Sequence, residues 1–256
     1  MGPALSAPLL EARGIWKSFG AVQALSDVDF EIGPHECVAL VGDNGAGKST
    51  LIRIMCGAHQ PSKGELYLNG EEVRFAGPRD AQAVGISVVH QDLALVEGLD
   101  VATNVFLGHV PTRRFRVDRK RMARETRDVL NQLAIDIPSV RSTVRLLSGG
   151  QRQAVAITRA VHHGGRLMIM DEPTAALGVQ EQRKVLQLIG TLKERGIAVL
   201  VVSHNLEHVF SIADRIAVMR GGRLVGVRTH AETSPKEVVE LITGAAALAA
   251  ASSGGS

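Results

Sequence analysis

A chain of 256 residues, 45% hydrophobic and 21% charged, has the usage of an ordinary globular protein and room for one large domain or two small ones. A formal net charge of +3 is too mild to argue for nucleic acid, and none is expected as a partner. No apolar run of about 18 residues offers a membrane span, and the N-terminus lacks the basic stretch and apolar core of a secretory signal, so the protein is expected in the cytosol or docked on a membrane from that side.

In chain order, the first part reads as β-rich. Residues 9–15, 25–32 and 37–41 alternate or run apolar, with Gly33-Pro34 as a turn between the last two. A helix is expected from Lys48 to about Cys56. Strand 65–70 ends in Asn69-Gly70, a favoured hairpin turn, and strand 86–89 follows. Residues 92–163 are mostly helical in pattern, most clearly Arg119 to Leu133, with Asp118 as its N-cap. Within them lies a basic run, RRFRVDRKRMAR at 113–124, which is either a solvated helix face or a docking surface for an acidic partner. Alternation then resumes: strand 167–170, helix 179–194, strand 197–202, a short helix from Asn205, strands 215–219 and 223–227, and helix 235–243 with Pro235 at its first position. Short, wholly apolar strands alternating with helices predict a mostly parallel sheet covered on both faces. The fold class is α/β, with an N-terminal antiparallel β edge and a helical insert. Aromatics make up only 3% of the chain, so its core must come from Val, Ile, Leu and Ala. Cys37 and Cys56 lack metal-ligand spacing and read as buried thiols of a reducing compartment. The stretch 245–256 is low in complexity and expected to fray.

Residues 38–55, VALVGDNGAGKSTLIRIM, set a strand, then Gly42-x-x-x-x-Gly47-Lys48-Ser49, then a helix, which is the phosphate-loop pattern in its required context. Glycines let backbone N–H groups turn inward, and these N–H groups with the helix N-terminus hold phosphate oxygens. Lys48 adds a charge for the β- and γ-phosphates, and Ser49 a hydroxyl for Mg²⁺. With Asn44, Gly45 and Thr50 these residues form the candidate ATP site.

Two later stretches extend the chemistry. In RLMIMDEPTAALG, 166–178, an apolar strand runs into Asp171 and Glu172. Neighbours on a strand point to opposite sides, so the two acids are expected to do different work. Asp171 suits the second-strand aspartate that holds Mg²⁺ in phosphate-loop hydrolases, which frees Glu172 as the base for the attacking water. Residues Leu147-Ser148-Gly149-Gly150-Gln151 open a helix with Ser148 as N-cap, which makes a second anion site in a chain with one phosphate loop. Such a site makes sense if it serves a nucleotide held by another copy.

The order of these features, from about residue 9 to 243, resembles the ATP-binding-cassette (ABC) family, of which LSGGQ is the signature. The resemblance implies one ABC ATPase domain over 9–244, with its core in 9–91 and 164–244 and a helical subdomain at 92–163, flanked by tails at 1–8 and 245–256. It implies that Phe19 of KSFG stacks on adenine, although Trp16 competes for that place. Gln91 matches the glutamine between core and insert that reaches the metal, and His204 the histidine that approaches the γ-phosphate. Catalysis would then fall to Glu172, His204, Lys48 and Gln91, and metal binding to Ser49, Gln91 and Asp171. Ser148, Gly149, Gly150 and Gln151 would meet the partner's ATP. There is one departure: Gly178 stands where the family usually has an Asp at the dimer interface, which bears on how closure is coupled. Thr158 replaces a small apolar residue and reads as tolerated packing.

Residues 40–55, 91–108 and 172–179 are similar to the branch that drives bacterial import of simple sugars such as ribose, xylose or fructose. That similarity implies two transmembrane permease subunits and an extracytoplasmic sugar-binding protein, and the single phosphate loop and LSGGQ imply pairing with a second copy of the ATPase or a relative. The chain would then sit peripherally on the cytoplasmic face of the membrane. The alternatives weighed are a soluble ABC ATPase of DNA repair or translation, and a nucleotide-sensing subunit that does not hydrolyse.

Overall fold

A computed structural model describes residues 7–245, so the tails expected at 1–8 and 245–256 lie outside it except for their inner ends. β1 (Leu10–Phe19) and β2 (Val22–Ile32) form a hairpin, and β3 (Cys37–Val41) leads into α1 (Lys48–Met55). A second hairpin, β4 (Lys63–Leu68) and β5 (Glu71–Val73), is followed by α2 (Pro78–Ala83) and β6 (Ile86–Val89). Next come α3 (Val101–Val105), a small hairpin of β7 (Thr112–Arg113) and β8 (Arg116–Val117), then α4 (Arg119–Gln132) and α5 (Gly149–His162). The chain ends in β9 (Leu167–Asp171), α6 (Val179–Glu194), β10 (Ala198–Val202), α7 (Leu206–Ile212), β11 (Arg215–Arg220), β12 (Arg223–Thr229) and α8 (Pro235–Thr243).

A six-stranded sheet runs in the order β12-β11-β3-β10-β9-β6, and a four-stranded sheet in the order β2-β1-β4-β5. The first is parallel except for its edge pair β11–β12, and the second is antiparallel. Every residue of β3 and β10 is buried, because both faces of the sheet are covered. Side chains alternate between the two faces. Val38, Leu40, Leu167, Ile169, Leu200 and Met219 pack with α1 and the antiparallel sheet. Met168, Met170, Val199 and Val201 pack against α5 and α6, and Ala39, Val41, Ile216 and Val218 against α7 and α8. Each such Leu, Ile or Val contributes about 1.5–3 kcal/mol by leaving water. Cys37 and Cys56 are buried, as their sequence context implies. Burial, with the Asp214 carboxylate nearby, pushes the Cys37 thiol up to about 12.

Some boundaries differ from the sequence expectation, each for a local reason. β1 extends past residue 15 to Phe19 through several register shifts against β2, and these irregularities break the period-2 alternation that would have marked it. Residues 92–163 are not helical throughout: the β7–β8 hairpin interrupts them, with strands too short for any periodicity to register. α2 has no counterpart among the expected elements, although Pro78 stands at its first turn. The Asn69-Gly70 turn is present, with φ of 52° and 83°. Thr158, fully buried, donates its hydroxyl to the Ala154 carbonyl at 2.8 Å, so the polar atom is satisfied within α5.

The insert has its own apolar cluster, including Val101, Val105, Met122, Leu130, Val144 and Val155 of α3, α4, α5 and the intervening loop. A fully buried amide anchors it. Asn104 Oδ1 accepts from Val96 N–H at 2.7 Å, and its Nδ2 donates to the carbonyls of Val96 at 3.0 Å and Asp100 at 3.1 Å. The side chain thus fixes the loop that leads from β6 into the insert. Asn104→Ala would leave these backbone groups without partners and is expected to cost about 2–3 kcal/mol, read as a lower urea midpoint at unchanged slope.

Candidate functional site

Strand register builds the site. Leu40 of β3 pairs with Val202 of β10, Val202 with Asp171 of β9, and Met170 with Val89 of β6. The carboxyl ends of four parallel strands therefore finish level, and the segments leaving them, 42–50, 203–205, 171–178 and 90–95, emerge along one edge. Open α/β sheets bind ligands at that edge.

The phosphate loop is held by close backbone approaches. Gly42 has φ +147°, and a Cβ there would lie 2.1 Å from the Met219 carbonyl oxygen. Gly47, at φ +102°, would place a Cβ 2.7 Å from Leu25 Cδ2 and 2.9 Å from the Ala24 carbonyl. Gly45 is also left-handed at φ +79°, but in open space. Asp43, Asn44 and Gly45 are exposed. Gly47 caps α1 without any side-chain hydrogen bond, whereas α3, α4, α5, α7 and α8 are capped by Asp100, Asp118, Ser148, Asn205 and Ser234. The first turn of α1, with Lys48, Ser49 and Thr50, is thus left for an outside acceptor. Lys48 Nζ donates to the carbonyls of Gly42 at 2.6 Å and Asp43 at 2.9 Å. Burial lowers its pKa, against the opposing pull of Glu172, Asp171 and Asp43.

Asp171 ends β9. Glu172 follows with φ +49°, and its N–H donates to the Val202 carbonyl at 2.8 Å. One carboxylate oxygen, Glu172 Oε1, accepts from the backbone N–H of His204 at 3.1 Å and lies 2.8 Å from its Nδ1. A carboxylate is an acceptor, so Nδ1 carries the proton in this contact, and Oε2 is left to take one. Glu172 and His204, predicted from sequence as separate groups for water and γ-phosphate, are thus brought together, and the histidine addresses the carboxylate directly.

Gln91 is exposed just past β6 and lines a cleft with Gly149, Arg152 and Ala175 to Leu177. The segment after it is tied to α5 by a residue that sequence reasoning missed. The half-buried Arg159 donates Nη2 to the Leu93 carbonyl and Nη1 to that of Ala94, each at 2.8 Å. Phe19 is 44% exposed at the end of β1. His59 meets its ring edge-on at 5.4 Å between centroids, and Lys17 Nζ lies 5.1 Å from the ring. Trp16 is only half-exposed, with Lys63 Nζ 5.9 Å from its ring. Phe19 is the freer of the two surfaces.

Ser148 to Gln151 form a reciprocal capping box. Ser148 Oγ accepts from Gln151 N–H at 3.3 Å, and Gln151 Oε1 from Ser148 N–H at 3.1 Å. Their neighbours belong to the loop after Glu172 and the first turn of α6 rather than to the phosphate loop. A Cβ on Gly149 would lie 2.7 Å from Leu177 Cδ2, and one on Gly150 3.1 Å from Glu181 Cβ. Glu181 accepts from Gly150 N–H through Oε1 and from Gly178 N–H through Oε2, each at 3.3 Å. Bonding to Ser148, Gly150 and Gly178 lowers its pKa. Gly178 has no side chain with which to cap α6, and Glu181 reaches back in its place. The Gly178-x-x-Glu181 spacing, that of a capping box, carries a local signal for the Gly178 contact, whereas the contact to Gly150 spans 31 residues and has none.

The chain's neighbours among known proteins fit this geometry. A family model described as ABC transporter matches residues 25–175. A xylose/arabinose import ATP-binding protein of Sulfolobus acidocaldarius is 46% identical over 92% of this chain and 94% of its own length. A fructose import ATP-binding protein of Rhizobium meliloti is 43% identical over 93% and 95%. A ribose import ATP-binding protein of Rubrobacter xylanophilus is 44% identical over 93% of this chain but only 47% of its own. Among solved structures, a nucleotide-free ATP-binding cassette from an ABC transporter superposes with a TM-score of 0.80 at 24% identity, covering 91% of this chain and 98% of that one.

The close approaches predict unequal glycine costs. Gly42→Ala should destabilise by several kcal/mol, because a backbone oxygen must move. Gly45→Ala should cost only the left-handed strain of about 1–2 kcal/mol. Thermal unfolding of the two variants side by side tests the order.

Proposed function

The chain belongs to the ABC transporter family, and from that premise we propose that it is the ATP-hydrolysing subunit of an importer for a simple sugar. The observation that carries the ATPase reading is the convergence of an uncapped helix N-terminus, Lys48, and the Asp171–Glu172 pair with His204 on Glu172, all at one sheet edge. The sugar is supported by the relatives named above, each a sugar import protein matched over more than nine-tenths of this chain. A soluble ATPase of DNA repair or translation finds no such support. Retained Glu172 and His204 argue against a subunit that only senses nucleotide.

In this reading Phe19 stacks on adenine. The N–H groups of the loop 42–50 and Lys48 bind the phosphates, with Asn44, Gly45, Gly47 and Thr50 in the loop. Ser49 and Asp171, with Gln91, would hold Mg²⁺, one carboxylate with neutral oxygens being a donor set that suits a metal leaning on substrate phosphates. The ion would neutralise charge on the β- and γ-phosphate oxygens. Glu172 accepts a proton from the attacking water at Oε2 while His204 fixes Oε1. To donate to the γ-phosphate as well, His204 would have to carry protons on both ring nitrogens. Ser148, Gly149, Gly150 and Gln151 of a second copy complete the site, so catalysis is positioning and charge neutralisation across a dimer. Transmembrane permeases receive the motion near Gln91, and an extracytoplasmic binding protein selects the sugar.

Glu172→Gln is expected to keep ATP binding and lower phosphate release by at least about a hundredfold, within the range of general-base loss. Turnover close to that of the unmodified chain would remove Glu172 from the base role. With ATP and magnesium, the Glu172→Gln chain should sediment as a dimer, and adding Ser148→Arg should return it to monomer. Co-purification from membranes, with identification of the bound chains, tests the permease assignment.

A further inference from the structure

We infer that the β7–β8 hairpin is a membrane-surface anchor whose arginines meet the phosphates of anionic lipid headgroups and whose Phe115 enters the interface. Register pairs Thr112 with Val117 and Arg113 with Arg116, which leaves Arg114 and Phe115 as a two-residue turn. Both are left-handed, with φ of 50° and 65°. That geometry suits Asn-Gly, the sequence this chain uses at Asn69-Gly70, and is uncommon for bulky side chains. Arg113 and Arg116 are like charges directly opposite one another, an unfavourable cross-strand pair. Phe115 is 105% exposed and Val117 49%. A strained turn, a like-charged pair and an exposed aromatic therefore meet at one tip.

An anionic, partly apolar partner offsets the Arg113–Arg116 repulsion and covers Phe115 at once. Arg113, Arg114, Arg116, Arg119 and Lys120 are exposed, and among the described residues none has a carboxylate within ion-pair distance, whereas Arg121 and Arg124 lie near Glu125. The hairpin is also firmly mounted. Asp118 N–H donates to the Pro111 carbonyl at 2.9 Å, and Asp118 Oδ1 caps α4 by accepting from Arg121 N–H at 3.0 Å.

The setting rests on the importer reading, which puts the chain beneath a membrane. Cytoplasmic loops of membrane proteins carry excess Lys and Arg and would repel this tip, while anionic headgroups attract it. The single aromatic beside arginines is the composition of an interfacial contact and offers no series of stacking platforms for bases.

Flotation of the purified chain with vesicles tests the anchor without permease or turnover, so a failed ATPase reading shows separately as absent phosphate release. The chain is expected to float with phosphatidylcholine vesicles containing phosphatidylglycerol and not with phosphatidylcholine alone. Binding should weaken about fivefold for each arginine replaced by glutamine among Arg113, Arg114 and Arg116, and roughly tenfold for Phe115→Ser. Unchanged phosphate release would show that the variants are folded. The anchor is overturned if the unmodified chain does not float, if the variants float as well as it does, or if a 30-base-pair DNA duplex binds as tightly at the same salt. Variants that still float but lose the co-purified permease would overturn it in favour of a protein partner.

Discussion

Two adjacent carboxylates leave the end of a buried strand beside a lysine, and the rest of the site follows from how that lysine is held. Lys48 is held against the carbonyls of Gly42 and Asp43, in the field of Asp171 and Glu172. The lysine can occupy that place because β3, β10 and β9 end in register and because Gly42 lets the loop pass close to Met219. The buried sheet is thus the ruler against which the charged groups are measured.

Within one chain the loop that follows Glu172 and the helix start opened by Ser148 are physically joined. The loop after Glu172 carries Leu177 against Gly149, and Glu181 holds the N–H groups of Gly150 and Gly178 together. The two glycines of LSGGQ therefore have a packing reason in their own chain beside any role toward a partner's nucleotide. Gly178, lacking the usual side chain, leaves capping of α6 to Glu181, so the same carboxylate serves both the helix and the signature loop.

The segment entering the insert is held by a comparable division of labour. Asn104 pins residues 96–100 from inside, and Arg159 grips Leu93 and Ala94 from α5. Gln91 stands just before this clamped stretch and is itself exposed. A shift of the helix that carries the signature would be transmitted to the residues following Gln91 through two short hydrogen bonds. The hairpin 112–117 is carried on α4 of the same insert, so a surface contact there would share the insert's motion.

The sequence by itself determined the elements whose physics is local. Periodicity marked the helices 179–194 and 235–243, apolar runs marked the central strands, and the spacing of Gly42, Gly47, Lys48 and Ser49 marked the phosphate loop. Motif order was enough to suggest the family. Only the tertiary structure decided which distant groups meet: His204 on Glu172, Glu181 across Gly150 and Gly178, Arg159 on the segment after Gln91, and the like-charged pair at the tip of β7–β8. The reason is physical. A period or a cap is written within a few residues of chain, whereas a contact such as Glu172 to His204, or Arg159 to Leu93, depends on strand register and packing summed over the whole core.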